Sequence, residues 1–293
     1  MNFFQFVNLV QEKVQQALGE HLNVEIMTTV KNNGTSRTGL SISDPSINIS
    51  PTIYLEEFFD SYQSFLTIDE IVSDIVDMYY EVRFEQDLEI DEIQNFSYAK
   101  HKIAYKLINT AQNEKMLLNV PHLNYYDFSI IFFMFFDISP DNRGTILVTD
   151  KLLSLWKTNL HELYDIAQKN MPKLLPMSFL PMQDMICEML HSKQIDCLED
   201  NPLYVLTNKQ RTFGASVLLY DNVLPKIGDH IQDSFFIIPS SIHELIIVPE
   251  KRSPRREELN KMIREVNATQ ISPEELLGEC VYYYDWVNDC LTY

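Results

Sequence analysis

Hydrophobic positions near the start of the chain first follow a helical spacing and then alternate. Apolar residues recur every three or four positions from Phe3 to Leu18, which predicts an amphipathic helix that ends at Gly19. Apolar and polar residues then alternate over Val24 to Val30 and again over Leu40 to Ile42. The intervening Lys31-Asn32-Asn33-Gly34 is a turn sequence, so the pattern predicts a β-hairpin whose glycine takes a positive φ.

Two further helices are predicted before an acidic stretch. Pro51 suits the first turn of a helix that continues through Tyr62. Thr67 and Glu70 form a capping-box pair at the start of the next helix, whose apolar stripe runs from Ile68 to Val82. The acidic stretch EQDLEIDE then predicts a boundary, with an N-terminal lobe over residues 1–92 and a C-terminal lobe over 93–293.

Strands and helices alternate in the second lobe. The predicted strands are Ile103 to Ile108, Tyr126 to Phe136, Thr145 to Thr149, Leu203 to Leu206, Phe235 to Ile238, Leu245 to Val248 and Val281 to Tyr284. The strand over 126–136 is apolar enough to lie in the centre of a sheet. Predicted helices begin near Leu152, Leu160, Ala215, Pro254 and Ser272.

Prolines and caps are expected to set the ends of these helices. The helix from Leu160 should stop by Asn170 because Pro172 follows, and an extended connector should come next. The helix over 215–231 should break at Asp221 or Pro225. Together the elements predict an α+β protein with mixed or antiparallel sheets, helices packed on one face, and two closely associated lobes.

Composition narrows the classes of partner. The 293 residues include 23 basic and 42 acidic side chains, for a net charge of −19. Generic nucleic-acid binding is not expected, because it needs Lys and Arg to displace counterions from phosphates. Docking to a basic partner, or acting as an acidic decoy for a DNA-binding protein, stays possible. The longest apolar run is too short to cross a membrane, and we expect a cytoplasmic protein without a membrane partner.

The four cysteines form two pairs with the same spacing. Cys187 and Cys197 are ten residues apart, as are Cys280 and Cys290. The spacing resembles a twin-cysteine disulfide pattern, but the two pairs are too far apart along the chain for one helical hairpin. Without a CxxC motif or a secretion signal, free thiols are the expected state.

Several segments together resemble an uncharacterised bacterial family, domain of unknown function 5688. The matching segments are Asn33-Gly34 with Gly39, Ile49 to Leu55, Val148-Thr149, Trp156, Glu162-Leu163, Ala167 to Asn170, Phe213-Gly214-Ala215, Pro239 to Glu244, and Val266 to Thr269. The resemblance spans nearly the whole chain, so it implies that the two lobes form one family module. The family brings no established activity, and no functional residue is carried over from it.

One polar cluster has the residue types of a hydrolytic site. Ser240, Ser241, His243 and Glu244 could supply a nucleophile, a base and an orienting carboxylate. Neighbouring residues on a strand alternate between faces, however, and triad members usually converge from separate segments. A turn between two buried strands, in which the serines bond to the backbone, is the simpler interpretation.

Two other clusters are weaker candidates. His101, His122 and Asp127 could supply two imidazoles and a carboxylate to a metal ion, but nothing in the sequence fixes their geometry, and satisfied, partly buried histidines are the simpler interpretation. Lys251, Arg252, Arg255 and Arg256 form the one basic cluster of an acidic chain. They could contact an acidic partner or fold back onto the protein's own carboxylates, and positive charge at a helix start is unfavourable.

A phosphate-binding loop is not expected, because the required lysine is absent and both flanks are predicted to be strands with no following helix. Gly34 and Gly39 have the spacing of a phosphate-binding loop, but Leu40 occupies the position of the required lysine. No cofactor is therefore expected. We favour a non-enzymatic module that binds another protein, with a hydrolase that uses Ser240 or Ser241 with His243 as the alternative and the acidic decoy as a second alternative.

Overall fold

A computed structural model describes residues 1–139, 142–189 and 203–293 of the chain. By its internal contacts the chain divides into two compact units, Met1–Asp91 and Glu92–Tyr293. Compactness does not show that either unit folds alone, so the expected domain boundary after residue 92 stays a prediction.

The first unit combines a three-stranded sheet with helices. Its elements in chain order are α1 (Phe3–Leu18), β1 (Asn23–Val30), β2 (Ser36–Ser43), β3 (Thr52–Tyr54), α2 (Glu56–Ser64) and α3 (Ile68–Val82), and α4 (Ile90–Gln94) lies across the division. The strand order is β1-β2-β3, and both pairings are antiparallel.

The predicted first helix and hairpin are confirmed. In α1, Asn2 accepts a hydrogen bond from Gln5 N–H, and Gly19 ends the helix with a φ of 83°. The apolar stripe of α1 is buried together with Val24 of β1 and Ile42 of β2, which face each other in the hairpin. The turn needs positive φ at Gly34 (68°), as expected, and also at Asn33 (59°).

The helix predicted from Pro51 is wrong at its start. Residues Thr52–Tyr54 form β3 instead, and α2 begins only at Glu56. The carbonyl oxygen of Pro51 accepts a hydrogen bond from Ile42 N–H at 3.1 Å, and Leu55 N–H donates to the Thr38 carbonyl at 2.9 Å. Pairing with β2 at both ends therefore outweighs the preference of proline for a first helical turn.

The capping box of α3 is confirmed. Thr67 Oγ1 accepts from Glu70 N–H at 3.4 Å, and a Glu70 carboxylate oxygen accepts from Thr67 N–H at 2.8 Å. These bonds satisfy backbone donors that have no partner inside the helix. The Glu70 carboxylate accepts from the Thr67 backbone N–H and also from the Thr67 hydroxyl at 2.7 Å, and these two bonds hold the pKa of the Glu70 carboxyl below its usual range. Ile71, Ile75 and Tyr79 then carry the buried stripe.

The second unit contains two sheets. Its helices are α5 (Phe96–Ala99), α6 (Glu114–Leu117), α7 (Asp150–Trp156), α8 (Leu160–Leu174), α9 (Met182–Met189), α10 (Val223–Ile231) and α11 (Arg256–Gln270). Its strands are β4 (Ile103–Asn109), β5 (His122–Tyr125), β6 (Phe128–Ser139), β7 (Asn142–Leu147), β8 (Met177–Pro181), β9 (Tyr204–Asn208), β10 (Phe235–Ile238), β11 (Leu245–Pro249), β12 (Tyr282–Asp285) and β13 (Cys290–Thr292).

Antiparallel pairing runs through both sheets of this unit. One sheet has the order β4-β6-β5, with β7 also paired to β6, and the other has the order β13-β12-β10-β11-β9-β8. The long apolar strand β6 lies between its neighbours, as predicted, and Phe128, Phe132 and Phe133 are buried in the main core. The predicted α+β class with antiparallel sheets is thus confirmed.

Two predictions based on prolines are wrong. Helix α8 continues past Asn170 to Leu174 with Pro172 inside it. Burial of Met171 and Leu175, together with the 2.8 Å hydrogen bond from Leu175 N–H to the Met171 carbonyl, holds the last turn. The expected connector after it is the strand β8, which pairs with β9 from Met177 to Pro181. Proline is tolerated there because β8 is an edge strand.

Helix boundaries elsewhere are a mixture of confirmed and wrong predictions. The expected break at Asp221 is present, since a 3₁₀ helix over Gly214–Leu219 precedes α10. The sequence Ser253-Pro254 is typical of a helix cap, but here the Ser253 hydroxyl donates to the Pro254 carbonyl and the cap residue of α11 is Arg255. Ser272 starts a turn and no helix, and its carbonyl oxygen accepts from Glu275 N–H at 2.8 Å.

A helix that crosses a membrane must be both long and apolar. Within residues 1–139, 142–189 and 203–293, no helix is both long and apolar enough to cross a membrane.

Loss of the α3 cap gives a direct test of this local structure. Thr67→Ala removes the side-chain acceptor for Glu70 N–H and should destabilise the first turn of α3 by about 1 kcal/mol, whereas Thr67→Ser should cost much less. Amide hydrogen exchange of the full chain measures this, with faster exchange at the start of α3 in the alanine variant. Equal exchange in the alanine and serine variants would contradict the capping role.

Candidate functional site

The serine–histidine segment lies between β10 and β11 and is tied to the turn before β12. Ser240 and Ser241 are only 5% and 3% exposed. The Ser240 carbonyl accepts from Leu277 N–H at 3.2 Å, and Ile242 N–H donates to the Glu275 carbonyl at 2.8 Å. The backbone around both serines is therefore used to join two separate segments of the chain.

His243 makes one hydrogen bond through its backbone N–H and another through its ring. Ser241 Oγ accepts from the His243 backbone N–H at 3.0 Å, which is a local turn contact. The ring Nδ1 of His243 accepts from Phe213 N–H at 3.2 Å, so the neutral ring carries its proton on Nε2. That nitrogen faces a Glu275 carboxylate oxygen at 3.6 Å. Both ring nitrogens are thus engaged.

This arrangement lacks the central contact of a serine nucleophile. A general base needs a free ring nitrogen within hydrogen-bond reach of the serine oxygen. Among the hydrogen bonds of the described residues, neither Ser240 Oγ nor Ser241 Oγ contacts the ring of His243. The structure brings Ser241, His243 and Glu275 together as a packed turn.

The loop before the 3₁₀ helix supports this turn and was not associated with it from sequence. Phe213 has a φ of 53°, and its ring stacks on the His243 ring with centroids 5.7 Å apart. A side chain at Gly214 would overlap the Thr207 hydroxyl and the His243 carbonyl oxygen. Thr207 Oγ1 donates to that carbonyl at 2.8 Å. Two of the segments that resemble the family thus lie in contact.

Glu244 is the group of this segment with a displaced pKa. Burial raises the pKa of its carboxyl above the usual range, and the nearby Glu275 carboxylate raises it further. His243 and Arg211 act in the opposite direction and do not cancel the effect of burial.

The three residues proposed for a metal site are not brought together. His122 pairs with Ile131 of β6, and its Nδ1 donates to the Val120 carbonyl at 2.9 Å. His101 precedes the end of β4 that pairs near Met134, whereas Asp127 precedes Phe128 at the opposite end of β6. Those ends are about 20 Å apart, too far for one ion. No cluster of three metal-ligating side chains was found among the described residues.

Asp127 has a buried carboxylate oxygen for which the described residues supply no hydrogen-bond partner. Burial raises the pKa of this carboxyl. The oxygen lies in the tight turn between β5 and β6, where Tyr126 has a φ of 54°. The turn keeps this oxygen away from water, which is unfavourable for the ionised carboxylate.

Lys251 and Arg256 of the basic cluster contact other parts of the protein. Lys251 Nζ lies 3.5 Å from an Asp233 carboxylate oxygen, and Arg256 donates to the Val281 carbonyl at 2.8 Å. Arg252 and Arg255 are exposed at the start of α11. A role of these two arginines in contacting a partner stays a prediction.

Three of the four cysteines lie in the described ranges, and each is a free thiol. Cys187 is half-buried, Cys280 and Cys290 are exposed, and all three are free. Cys197 lies outside the described residues, so the pair that it forms in sequence with Cys187 is not described.

The open edge of β1 was not anticipated from sequence. Ile42 N–H and the Thr38 carbonyl both bond toward β3, so the odd-numbered residues of β2 face β1. Their partners are Glu25, Met27 and Thr29, because the strands are antiparallel. The backbone groups of Val24 and the alternate residues after it must therefore point away from β2.

Only the first of these outward residues is capped within the unit. Gln15 accepts from Val24 N–H at 2.9 Å, and Gln11 donates to the Val24 carbonyl at 2.8 Å. Within the described sheet β1 has β2 as its single neighbour. We call the outward backbone groups of Ile26, Thr28 and Val30 the open edge. Gln11 and Gln15 share one stripe of α1, and this was the signal in the sequence that could have located the open edge. That they contact Val24 was visible only in the folded structure.

The pH dependence of stability tests the burial of Glu244. Its folded pKa is raised above the usual 4.5, so its protonated form favours folding. That contribution is present below the ordinary pKa and is lost as the pH rises through the raised value. Glu244→Gln, which cannot ionise, should therefore gain stability relative to wild type between pH 4 and pH 7, as measured by urea unfolding. The exposed Glu279→Gln is the control, and an identical pH response in the two variants would contradict this account.

The ring of His243 gives a second test. Nitrogen NMR of the labelled full chain at high pH, where imidazoles are neutral, should show the proton on Nε2 and not on Nδ1. A dominant Nδ1–H form would contradict the hydrogen bond from Phe213 and would leave the ring free to act as a base.

Comparison with known proteins places the whole chain in one family. Neither the curated proteins nor the solved structures gave a match. A family model, described as a family of unknown function, matches residues 3–286 and spans both compact units. The resemblance seen in the sequence is confirmed, and the chain belongs to this family, DUF5688.

Proposed function

We propose that this protein is a non-enzymatic binding module whose first unit accepts an extended segment of a protein partner. The open edge of β1 carries this proposal. Addition of a strand to an exposed sheet edge is a general mode of peptide recognition, in which main-chain hydrogen bonds supply affinity and side chains supply specificity.

Apart from the charged Glu25, the strand lacks the usual features that prevent edge pairing. Natural edge strands are protected by proline, by lysine, by β-bulges or by short length. β1 is eight residues long and contains neither proline nor lysine, and its register with β2 is continuous from Asn23 to Val30. Two of its side chains that face the helix layer are exposed, Ile26 by 43% and Val30 by 69%. These features support a surface that is kept open for pairing.

The arrangement around His243 favours binding over hydrolysis as the function. The serines are buried in backbone contacts, and the neutral imidazole has no free lone pair. A hydrolase would have to break the bond from Phe213 before His243 could take a proton.

A proline at the open edge tests the proposal. Thr28→Pro removes one outward N–H without removing a ladder bond to β2, because proline is tolerated where its N faces outward. Thr28→Val, which keeps the N–H, is the matched control. Affinity isolation from the native host with the full chain should retain the same protein on wild type and Thr28→Val, and about tenfold less on Thr28→Pro.

Circular dichroism and thermal unfolding must show that both variants are folded. Equal retention of the partner by folded Thr28→Pro would overturn the role of the edge. Failure of the wild-type chain to retain any partner would overturn the binding function itself.

A further inference from the structure

We infer that the segment added to β1 is basic, and that it lies in a groove between α1 and the open edge with apolar and basic side chains in alternation. This inference rests on the proposed function and specifies the chemistry of the partner. Its support comes from the flank of α1, from the faces of β1 and from the distribution of charge.

One flank of α1 runs beside the open edge. Gln11 and Gln15 reach the backbone of Val24, so the helical stripe that contains them faces this side of β1. Residues four and seven positions apart share a stripe, which places Asn8 and Phe4 further along the same flank. The other flank is tied to α3, since Lys13 pairs with Asp69 at 2.7 Å.

Exposed apolar side chains lie toward the far end of β1 and of the flank of α1. From Gln15 to Phe4 the helix rises about 16 Å, and β1 runs about 20 Å in the opposite direction from Val24 to Val30. Phe4 therefore lies beside the far half of β1, and it is 76% exposed. Ile26 and Val30 point to the same face as the buried Val24. An added strand would place its helix-side residues among these three apolar side chains.

The opposite face of the strand has a different chemistry. Asn23, Glu25, Met27 and Thr29 alternate with the helix-side residues, and Glu25 is the one charged side chain in β1. An added strand would place its other set of residues on this more polar face, where a cation can pair with Glu25.

Charge in this unit favours a basic partner. Residues 1–91 contain 4 basic and 16 acidic side chains, which leaves a net charge of −12 of the −19 for the chain. Lys13 is paired with Asp69, and Arg37 is paired with Glu56 and Glu57. Such a field attracts basic segments and raises their association rate.

The same charge disfavours a second copy of this chain as the occupant. Pairing of two β1 edges would place the two strands about 4.8 Å apart, within the Debye length of about 8 Å at physiological salt, and would bring together two units that each carry a net charge of −12. The occupant is therefore assigned to a different, basic protein segment.

Synthetic octapeptides that imitate a partner segment test the inference when they are bound to the full chain. The probe is a peptide of alternating lysine and valine, which should bind the full chain at least about tenfold more tightly than a peptide of alternating glutamate and valine, by fluorescence anisotropy at low salt. Binding should slow amide hydrogen exchange at Ile26 and Thr28 and should weaken as salt is added.

Two controls separate strand addition from nonspecific attraction. The lysine–valine peptide with alternate backbone amides methylated keeps its charge but cannot pair as a strand, and it should lose both binding and exchange protection. Phe4→Ser should weaken the unmodified peptide, whereas Phe65→Ser, which removes an exposed phenylalanine outside the groove, should not.

The outcomes distinguish this inference from the proposed function. If a neutral threonine–valine peptide protects the open edge as well as the lysine peptide does, strand addition stands and the basic partner is wrong. If no peptide slows exchange at β1, both are wrong. If ultracentrifugation shows that the chain dimerises and that Thr28→Pro prevents this, the edge takes a second copy and the inference is overturned.

Discussion

Backbone hydrogen bonding is the constraint on which this structure depends. Every strand must find partners for its N–H and C=O groups, and the two units meet this need differently. In the second unit the segment after β10 pairs with the turn before β12 through Pro239, Ser240 and Ile242. In the first unit Gln11 and Gln15 satisfy Val24, and the following residues of β1 are left at the edge. The open edge of β1 is therefore a place where backbone groups are left for water or for a partner, as they are at other edge strands such as β8.

The residues around His243 are of types found in catalytic sites, but here their hydrogen bonds hold a turn together. A loop with positive φ at Phe213 brings its N–H onto the imidazole, and Gly214 allows close approach to the next strand. Burial of Ser240 and Ser241 then costs little, because the surrounding backbone is bonded. Two of the segments that carry the family resemblance therefore meet in one turn of this chain.

Uneven charge between the units adds a second constraint. The first unit carries most of the net negative charge, and two of its four basic side chains, Lys13 and Arg37, are paired with carboxylates within it. Repulsion among like charges opposes compactness, so such a distribution has a cost in stability. A basic partner that docks at the edge of β1 would relieve part of that cost while supplying the missing strand hydrogen bonds.

The sequence by itself determined the elements whose signals are local. The spacing of apolar residues set α1, the turn residues set the hairpin, and the Thr67–Glu70 pair set the start of α3. The α+β class and the central position of β6 followed from the same patterns. These predictions hold because each depends on residues within a few positions of one another.

Only the tertiary structure decided features that depend on distant partners. Pro51 precedes a strand because β2 pairs with Thr52–Tyr54, and α8 passes Pro172 because Met171 and Leu175 are buried. The contact of Phe213 with His243 joins residues thirty positions apart, and the open edge exists because β2 has β3 as its second neighbour. Local preference costs a few kcal/mol at most, so pairing and burial at long range can override it.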